Sequence, residues 1–234
     1  MNEPSDRRLS AQRAEMLEQL VADASSLDDS LGRGFLKPQV LAAMAEVPRH
    51  AYLPDNVRNL AYCDTALPIG YGKTTSQPFV VALMTDLLDI EPHHRVLEIG
   101  TGLGYQTAVL ARLARSVHSI EIVDSLAAKA AANLRALGID NATVGVGDGR
   151  RGWHTCAPFD RIIVTAAPQI IPRALLHQLA EHGRMVIPAG LSASQRLLVV
   201  QKSADGHLQT REVMPVSFAS LLHESANIET GEDP

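Results

Sequence analysis

Cysteine is nearly absent: Cys63 and Cys156 are the only two among 234 residues. Without a second pair they can build neither a disulfide framework nor a zinc knuckle, so both read as free thiols of a reducing compartment. Long apolar runs are missing from the N-terminus, where Met1 to Arg13 is polar and carries both charge signs. That stretch has neither the apolar core of a signal peptide nor the length of a membrane span, which predicts a cytoplasmic location and no membrane partner. A basic surplus is missing too. Lys and Arg number 21 against 26 Asp and Glu, a net charge of -5, and basic residues occur only as isolated pairs such as Arg7-Arg8 and Arg150-Arg151. Nothing in that balance is a nucleic-acid footprint, so nucleic acid is not an expected partner. Oligomeric state is not legible at this level.

What is present suits one catalytic domain. A hydrophobic content of 46% is sufficient for a packed α/β core with some length left for an appendage. Apolar residues at Met16, Leu17, Leu20, Val21 and Ala24 predict an amphipathic helix over Leu9 to Leu27. A loop follows at Asp28 to Arg33, and Pro38 starts a second helix through Met44, stopped by Pro48. Pro54 to Pro78 is irregular and rich in Gly, Pro, Tyr and Thr, which marks a functional loop region. A helix is expected over Pro78 to Ile90.

Beyond Pro92 the elements alternate. Strands are expected at Arg95 to Ile99, Ser116 to Ile120, Thr143 to Val146, Arg161 to Val164 and Arg184 to Pro188. Helices are expected at Tyr105 to Leu113, Ser125 to Leu137 and Pro172 to Leu179. The strands are continuous apolar runs, the pattern of a parallel sheet covered on both faces. The fold class is therefore α/β, a doubly wound, mostly parallel, Rossmann-like sheet with an N-terminal helical cap. Arg196 to Gln201 and Gln209 to Val216, separated by Asp205-Gly206, predict a closing antiparallel hairpin. Three regions result: a cap over 1–47, a substrate-loop region over 48–78 and a core over 79–234.

The strongest chemical signal is the strand-to-helix run Val96-Leu97-Glu98-Ile99-Gly100-Thr101-Gly102-Leu103-Gly104-Tyr105. Its spacing is Gly-x-Gly-x-Gly, unlike the Gly-x-Gly-x-x-Gly of dinucleotide sites, and a carboxylate stands two residues before the first glycine. A pyrophosphate would meet the like charge of Glu98, whereas the sulfonium and ammonium of S-adenosylmethionine would be favoured by it. Glu121, about 20 residues on, is placed to accept both ribose hydroxyls, and Asp148 in Gly147-Asp148-Gly149 to meet the adenine amino group. Each alone could be an ordinary surface carboxylate, and dinucleotide binding remains the weaker reading.

Several ordered blocks resemble one family. Val47-Pro48-Arg49-His50, Tyr52-Leu53-Pro54, Ala66-Leu67-Pro68-Ile69-Gly70, Thr74-Thr75-Ser76-Gln77-Pro78, the glycine loop, Gly147-Asp148-Gly149 with Gly152-Trp153, Ala157-Pro158-Phe159-Asp160 and Ile163-Val164-Thr165-Ala166-Ala167 are together similar to the bacterial protein-L-isoaspartate O-methyltransferases, over about residues 35 to 222. The resemblance implies an S-adenosylmethionine-dependent methyltransferase fold and methyl transfer to the free α-carboxylate of L-isoaspartyl residues in proteins or peptides, followed by succinimide formation and repair. It maps the functional serine onto Ser76 and the cofactor residues onto Glu98, Gly100, Gly102, Glu121, Asp148 and Gly149, with Thr101, Gly104 and Tyr105 of the same loop expected beside them. A carboxylate acceptor needs no general base, so a hydroxyl that orients it suffices. Read without the resemblance, Ser76 or Thr75 is better taken as a helix cap before Pro78, an order that the resemblance reverses.

The chain departs from the family pattern at Lys73, Thr75, Leu103 and Phe218 to Leu221, which leaves room for another carboxylate acceptor. A non-catalytic protein that merely keeps the fold is the more distant alternative. The nine histidines show no metal-ligand spacing and read as solvated surface residues, so no metal is expected. Trp153 reads as core more than as a cofactor wall, and Cys156 as a small buried residue.

Overall fold

A computed structural model of the chain describes residues 3–25 and 36–222. Its elements are helix α1 (Glu3–Ser25), helix α2 (Pro38–Glu46), two 3-10 turns (Arg49–Tyr52 and Asp55–Leu60), the short strands β1 (Leu67–Gly70) and β2 (Lys73–Thr75), and helix α3 (Pro78–Leu88). Then come β3 (Arg95–Ile99), α4 (Tyr105–Leu113), β4 (Ser116–Glu121), α5 (Asp124–Ala136), β5 (Ala142–Val146), β6 (Phe159–Val164), α6 (Arg173–Gln178), β7 (Leu179–Ala189), β8 (Arg196–Lys202) and β9 (Leu208–Pro215). The expected loop at Asp28 to Arg33 lies outside the described residues. Among those described, no helix is long and apolar enough to cross a membrane.

Continuous apolar strands bury both faces because side chains alternate. Val96, Ile163 and Val186 enter one apolar cluster, while Leu97, Ile99, Ile162, Val164, Met185 and Ile187 enter the other. The first cluster is closed by α1 to α5, with Met16, Leu20 and Ala24 of α1 forming a stripe at helical spacing. The second is closed by α6 and partly by Trp153. A Cβ on Gly145 would stand 2.7 Å from the Trp153 ring, so the edge strand β5 carries glycine where the indole lies across it.

The sheet order is β5-β4-β3-β6-β7-β8-β9. The first five strands are parallel, and β8 and β9 add antiparallel. The chain proceeds outward from β3 through β4 to β5 and then returns to the other side of β3 with β6. That reversal opens a crevice at the carboxyl ends of β3 and β6, where ligands bind in this class of sheet. The hairpin expected at Asp205-Gly206 forms between β8 and β9, with Gly206 at φ +82°.

Two differences from the sequence expectation have local causes. β7 begins at Leu179, not Arg184: Leu179 pairs with Phe159, the chain bulges through His182 at φ +58°, and Arg184 then pairs with Arg161. The apolar run shows only the second part of this strand. The loop region also contains a hairpin, β1 with β2, turned by Tyr71 and Gly72 at φ +53° and +63°. Both central residues left-handed is the type I′ geometry, reached here without the Asn-Gly pair that usually announces it. The ammonium of Lys129 on α5 lies 5.7 Å from the Tyr71 ring centroid, which ties the tip of this hairpin to the core.

Candidate active site

The glycine loop is shaped first by packing between strand ends. The Gly100 amide donates to the Ile120 carbonyl at 2.8 Å, and the Thr165 amide to that of Ile99 at 2.9 Å. A Cβ on Gly100, at φ +96°, would stand 2.3 Å from Thr165 Oγ1, and one on Gly149 would stand 2.2 Å from a methyl of Ile99. Both glycines let backbone lie where a side chain cannot. Gly104 has a different task. At φ +95° it is the N-cap of α4, and its Cα faces Ala130 and Leu134 of α5.

Two adjoining cavities open above these strand ends. The larger, about 640 Å³, is lined by Ile99, Gly100, Gly102, Ile120, Glu121, Ile122, Leu126, Gly149, Thr165 and Ala166, and is walled by Ile69, Lys73 and Thr74 of the hairpin and by Ala219 to Leu222. The smaller, about 440 Å³, is lined by Tyr52, Thr74, Thr75, Ser76, Val81, Thr101, Leu103, Tyr105 and Gln106. Thr74, Gly100, Gly102 and Thr165 belong to both. A bound molecule in the larger cavity would therefore present one end to the smaller. Thr101 and Tyr105, expected beside Gly100 in a cofactor site, line the smaller cavity instead, because α4 starts between them and turns Tyr105 away from the crevice. The expected departures divide similarly: Thr75 and Leu103 line the smaller cavity, Lys73 and residues 219–222 the larger.

The three carboxylates do not stand in one register. Glu121 is the last residue of β4 and lines the larger cavity. Its Oε2 accepts the Gly102 amide at 2.8 Å, and Oε1 accepts those of Ile122 and Val123 at 2.9 and 3.1 Å. Of about four acceptor positions on a carboxylate, roughly one stays available for a ligand. Glu98, one residue from the end of β3, is fully buried and points away from the cavity toward α4. Its Oε2 accepts hydroxyls of Thr107 at 2.5 Å and Ser119 at 2.6 Å, and Thr101 in turn contacts Ser119 at 2.6 Å. Its Oε1 is buried without a partner among the described residues. Burial pushes its pKa up to about 7 against the pull of those hydroxyls. Asp148 faces Arg150, which forks onto both carboxylate oxygens at 2.7 to 3.1 Å, while the Arg150 amide donates to Oδ1 at 2.9 Å. Burial opposes ionisation of Asp148, but the Arg150 bonds and charge outweigh it and hold the pKa below the usual value.

Ser76 is not a helix cap. Gln77 occupies the N-cap of α3 with no side-chain cap bond, and the Phe79 amide donates instead to Asp64 Oδ1 at 2.7 Å. The Ser76 hydroxyl makes no hydrogen bond among the described residues and borders the smaller cavity. Its backbone is held from behind by fully buried Arg49, whose Nη1 donates to the Ser76 carbonyl at 2.8 Å and Nη2 to that of Thr65 at 3.3 Å.

Several contributors were not singled out from sequence. Arg49 and Thr165 lie inside family-like blocks, but nothing in their spacing assigns them a task. Gln195 had no signal at all. Its side chain accepts the Phe218 amide at 2.6 Å and donates to the Phe218 carbonyl at 3.0 Å, and Ala167 exchanges backbone bonds with Ala219 and Leu221. Together they lay residues 219–222 along the larger cavity.

Three histidines are not the solvated residues expected. His94 is buried and accepts the Glu91 amide on Nδ1 at 2.8 Å, half-buried His118 meets Trp153 and Phe159 edge-on, and half-buried His50 hydrogen-bonds the Tyr62 hydroxyl through Nδ1 at 2.7 Å. Glu91, His93 and His94 bring potential ligand atoms within 4.8 Å of one another in the turn before β3, at the sheet end opposite the glycine loop. Both cysteines are free, with Cys156 half-buried.

Comparison with known proteins identifies a family. The sequence profile of the protein-L-isoaspartate(D-aspartate) O-methyltransferase family matches residues 25–226. The chain is 48% identical over 225 residues to a protein-L-isoaspartate O-methyltransferase of Polaromonas sp., covering 96% of this chain and 94% of that one. It is 48% identical over 218 residues to one from Syntrophobacter fumaroxidans, covering 93% and 88%. Among solved structures, one protein-L-isoaspartate O-methyltransferase superposes with a TM-score of 0.77 at 27% identity, over 89% of this chain and 65% of that one. A beta-aspartate methyltransferase from Plasmodium falciparum, in complex with S-adenosyl-L-homocysteine, superposes with a TM-score of 0.71 at 26% identity, over 85% and 98%.

Proposed function

We propose how the site works from one premise: this chain belongs to the protein-L-isoaspartate O-methyltransferase family. It is an S-adenosylmethionine-dependent methyltransferase, and its substrates are proteins or peptides that contain L-isoaspartyl residues. The methyl group goes to the free α-carboxylate, and the ester then closes to a succinimide that partly reopens as normal aspartate. The observation that carries this reading is what the smaller cavity lacks. Among the described residues, hydroxyls, one amide and apolar groups line it, with no carboxylate, histidine or lysine. An amine or alcohol acceptor must lose a proton, and none of these described residues is a base suited to take it. A carboxylate is already ionised at neutral pH and needs only orientation and loss of water.

The larger cavity fits the cofactor. Glycines at 100 and 149 leave it backbone-lined, and Glu121 keeps an acceptor position at its wall. We assign Gly100, Gly102, Glu121 and Gly149 to direct contact, Asp148 to contact once Arg150 swings aside, and Glu98 to support of the loop. When bound, S-adenosylmethionine supplies a sulfonium-borne methyl group whose bond to sulfur breaks as the carboxylate oxygen bonds to carbon, with no proton transferred. Ser76 donates a hydrogen bond that holds the acceptor carboxylate in line, and Leu103 and Val81 keep water from it. In this division residues 1–47 act as a cap, 48–78 give Tyr52, Thr75 and Ser76 to the acceptor side and Ile69 and Lys73 to the wall of the cofactor side, and the core over 79–234 completes both.

The test is methyl transfer to one peptide made with isoaspartate and with aspartate at the same position. Base-labile label on the first and not the second is expected. Equal labelling of both, or of neither while a small-molecule carboxylate is methylated, would move the reading to another acceptor, with Leu103 and Thr75 as the altered contacts.

A further inference from the structure

Tyr105 belongs to the smaller cavity and carries a feature that the mechanism above leaves unused. Its side chain is 3% exposed, it lines the cavity that Ser76 borders, and its hydroxyl has no hydrogen-bond partner among the described residues. The ring is well held. Tyr52 packs edge-on at 5.9 Å between centroids, and the Arg49 guanidinium carbon stands 5.4 Å from the ring centre. A phenylalanine would keep both contacts, so nothing in the packing calls for the oxygen. Leaving a buried hydroxyl unpaired is unfavourable, and the arrangement makes sense when the missing partner arrives with the substrate.

We propose that the Tyr105 hydroxyl is a second donor to the acceptor carboxylate, binding the oxygen that Ser76 does not. A carboxylate has two oxygens, and transfer needs one of them aimed along the methyl–sulfur axis. One donor leaves the group free to rotate about that hydrogen bond, whereas two donors fix its plane. The phenol suits the task because burial pushes its pKa above the ordinary value, which keeps it protonated and able only to donate to an anion. Arg49 contributes from behind: it stands against the Tyr105 ring and binds the Ser76 carbonyl, so one buried cation positions both donors.

This inference rests on the carboxylate reading, and the experiment separates the two. Full-length wild type and Tyr105→Phe are compared for transfer to the isoaspartyl peptide, for affinity toward S-adenosyl-L-homocysteine by calorimetry, and for melting temperature. Expected is a fall in kcat/KM of about 10- to 150-fold, the loss of one hydrogen bond to a charged group. Cofactor-product affinity should be unchanged, and the melting temperature equal or higher, since an unpaired buried hydroxyl has been removed. Full kcat/KM in the variant overturns the assignment. So does a lowered melting temperature with unimpaired transfer, which would mean a structural water bridging Tyr105 and the unpartnered Arg49 Nε. A parallel loss of cofactor-product affinity overturns it in favour of a cofactor contact. Wild type that leaves the isoaspartyl peptide unmethylated overturns the acceptor reading itself.

Discussion

Arg49 and Ser76 lie 27 positions apart and meet through a single bond, Nη1 to the serine carbonyl at 2.8 Å. The guanidinium is fully buried and satisfies two backbone carbonyls that no helix or sheet ladder serves. A buried cation kept for such a purpose is sensitive to shape as well as charge.

Arg49→Lys keeps the charge but cannot span Ser76 and Thr65 with a planar fork. The expected result is a lower kcat for methyl transfer together with a loss of about 1–3 kcal/mol in stability, from carbonyls left without a donor. Urea unfolding and initial rates measured on one preparation check it. Unchanged kcat in a destabilised variant would restrict Arg49 to folding.

Ser76 and Asp64 should separate cleanly. Ser76→Ala removes a cavity hydroxyl that bonds to no group among the described residues, so transfer should slow by about 10- to 150-fold while the melting temperature holds. Asp64→Ala removes the acceptor of the Phe79 amide at the start of α3 and should cost about 0.5–2 kcal/mol of stability. A melting-temperature drop in Ser76→Ala would restore the cap role to the serine.

Glu121→Gln should weaken binding of S-adenosyl-L-homocysteine by about 10-fold or more, because a neutral amide replaces an anion that both borders the cavity and anchors the Gly102 amide. Calorimetry reads this directly. Affinity within twofold of wild type would place the ribose elsewhere.

Glu98 makes the cofactor-free protein pH-sensitive. Its pKa is about 7 in the fold against an ordinary 4.5, so the unfolded chain releases this proton first as pH rises. The group's contribution to stability is therefore fully present below about pH 4.5, declines between about 4.5 and 7, and is level above that. Glu98→Gln cannot ionise, so its stability relative to wild type should rise across that window. A difference between the two proteins that stays constant from pH 5 to 8 would show that Glu98 is ionised throughout.

The alternation of apolar strands with amphipathic helices was legible because it records burial on both faces: Leu97, Ile162 and Met185 share one side, Val96, Ile163 and Val186 the other. The glycine loop was legible because close approach of Gly100 to Thr165 excludes any side chain. Contacts between residues distant in sequence were not. That Glu98 turns beneath the loop, that Tyr105 leaves the larger cavity for the smaller, and that Asp64 relieves Ser76 of capping are each decided by which neighbours the sheet order brings within hydrogen-bond reach. Local sequence dictates which face a residue takes and which backbone angles it tolerates. The partner across the crevice is set only when strand β6 returns beside β3 and the chain closes around it.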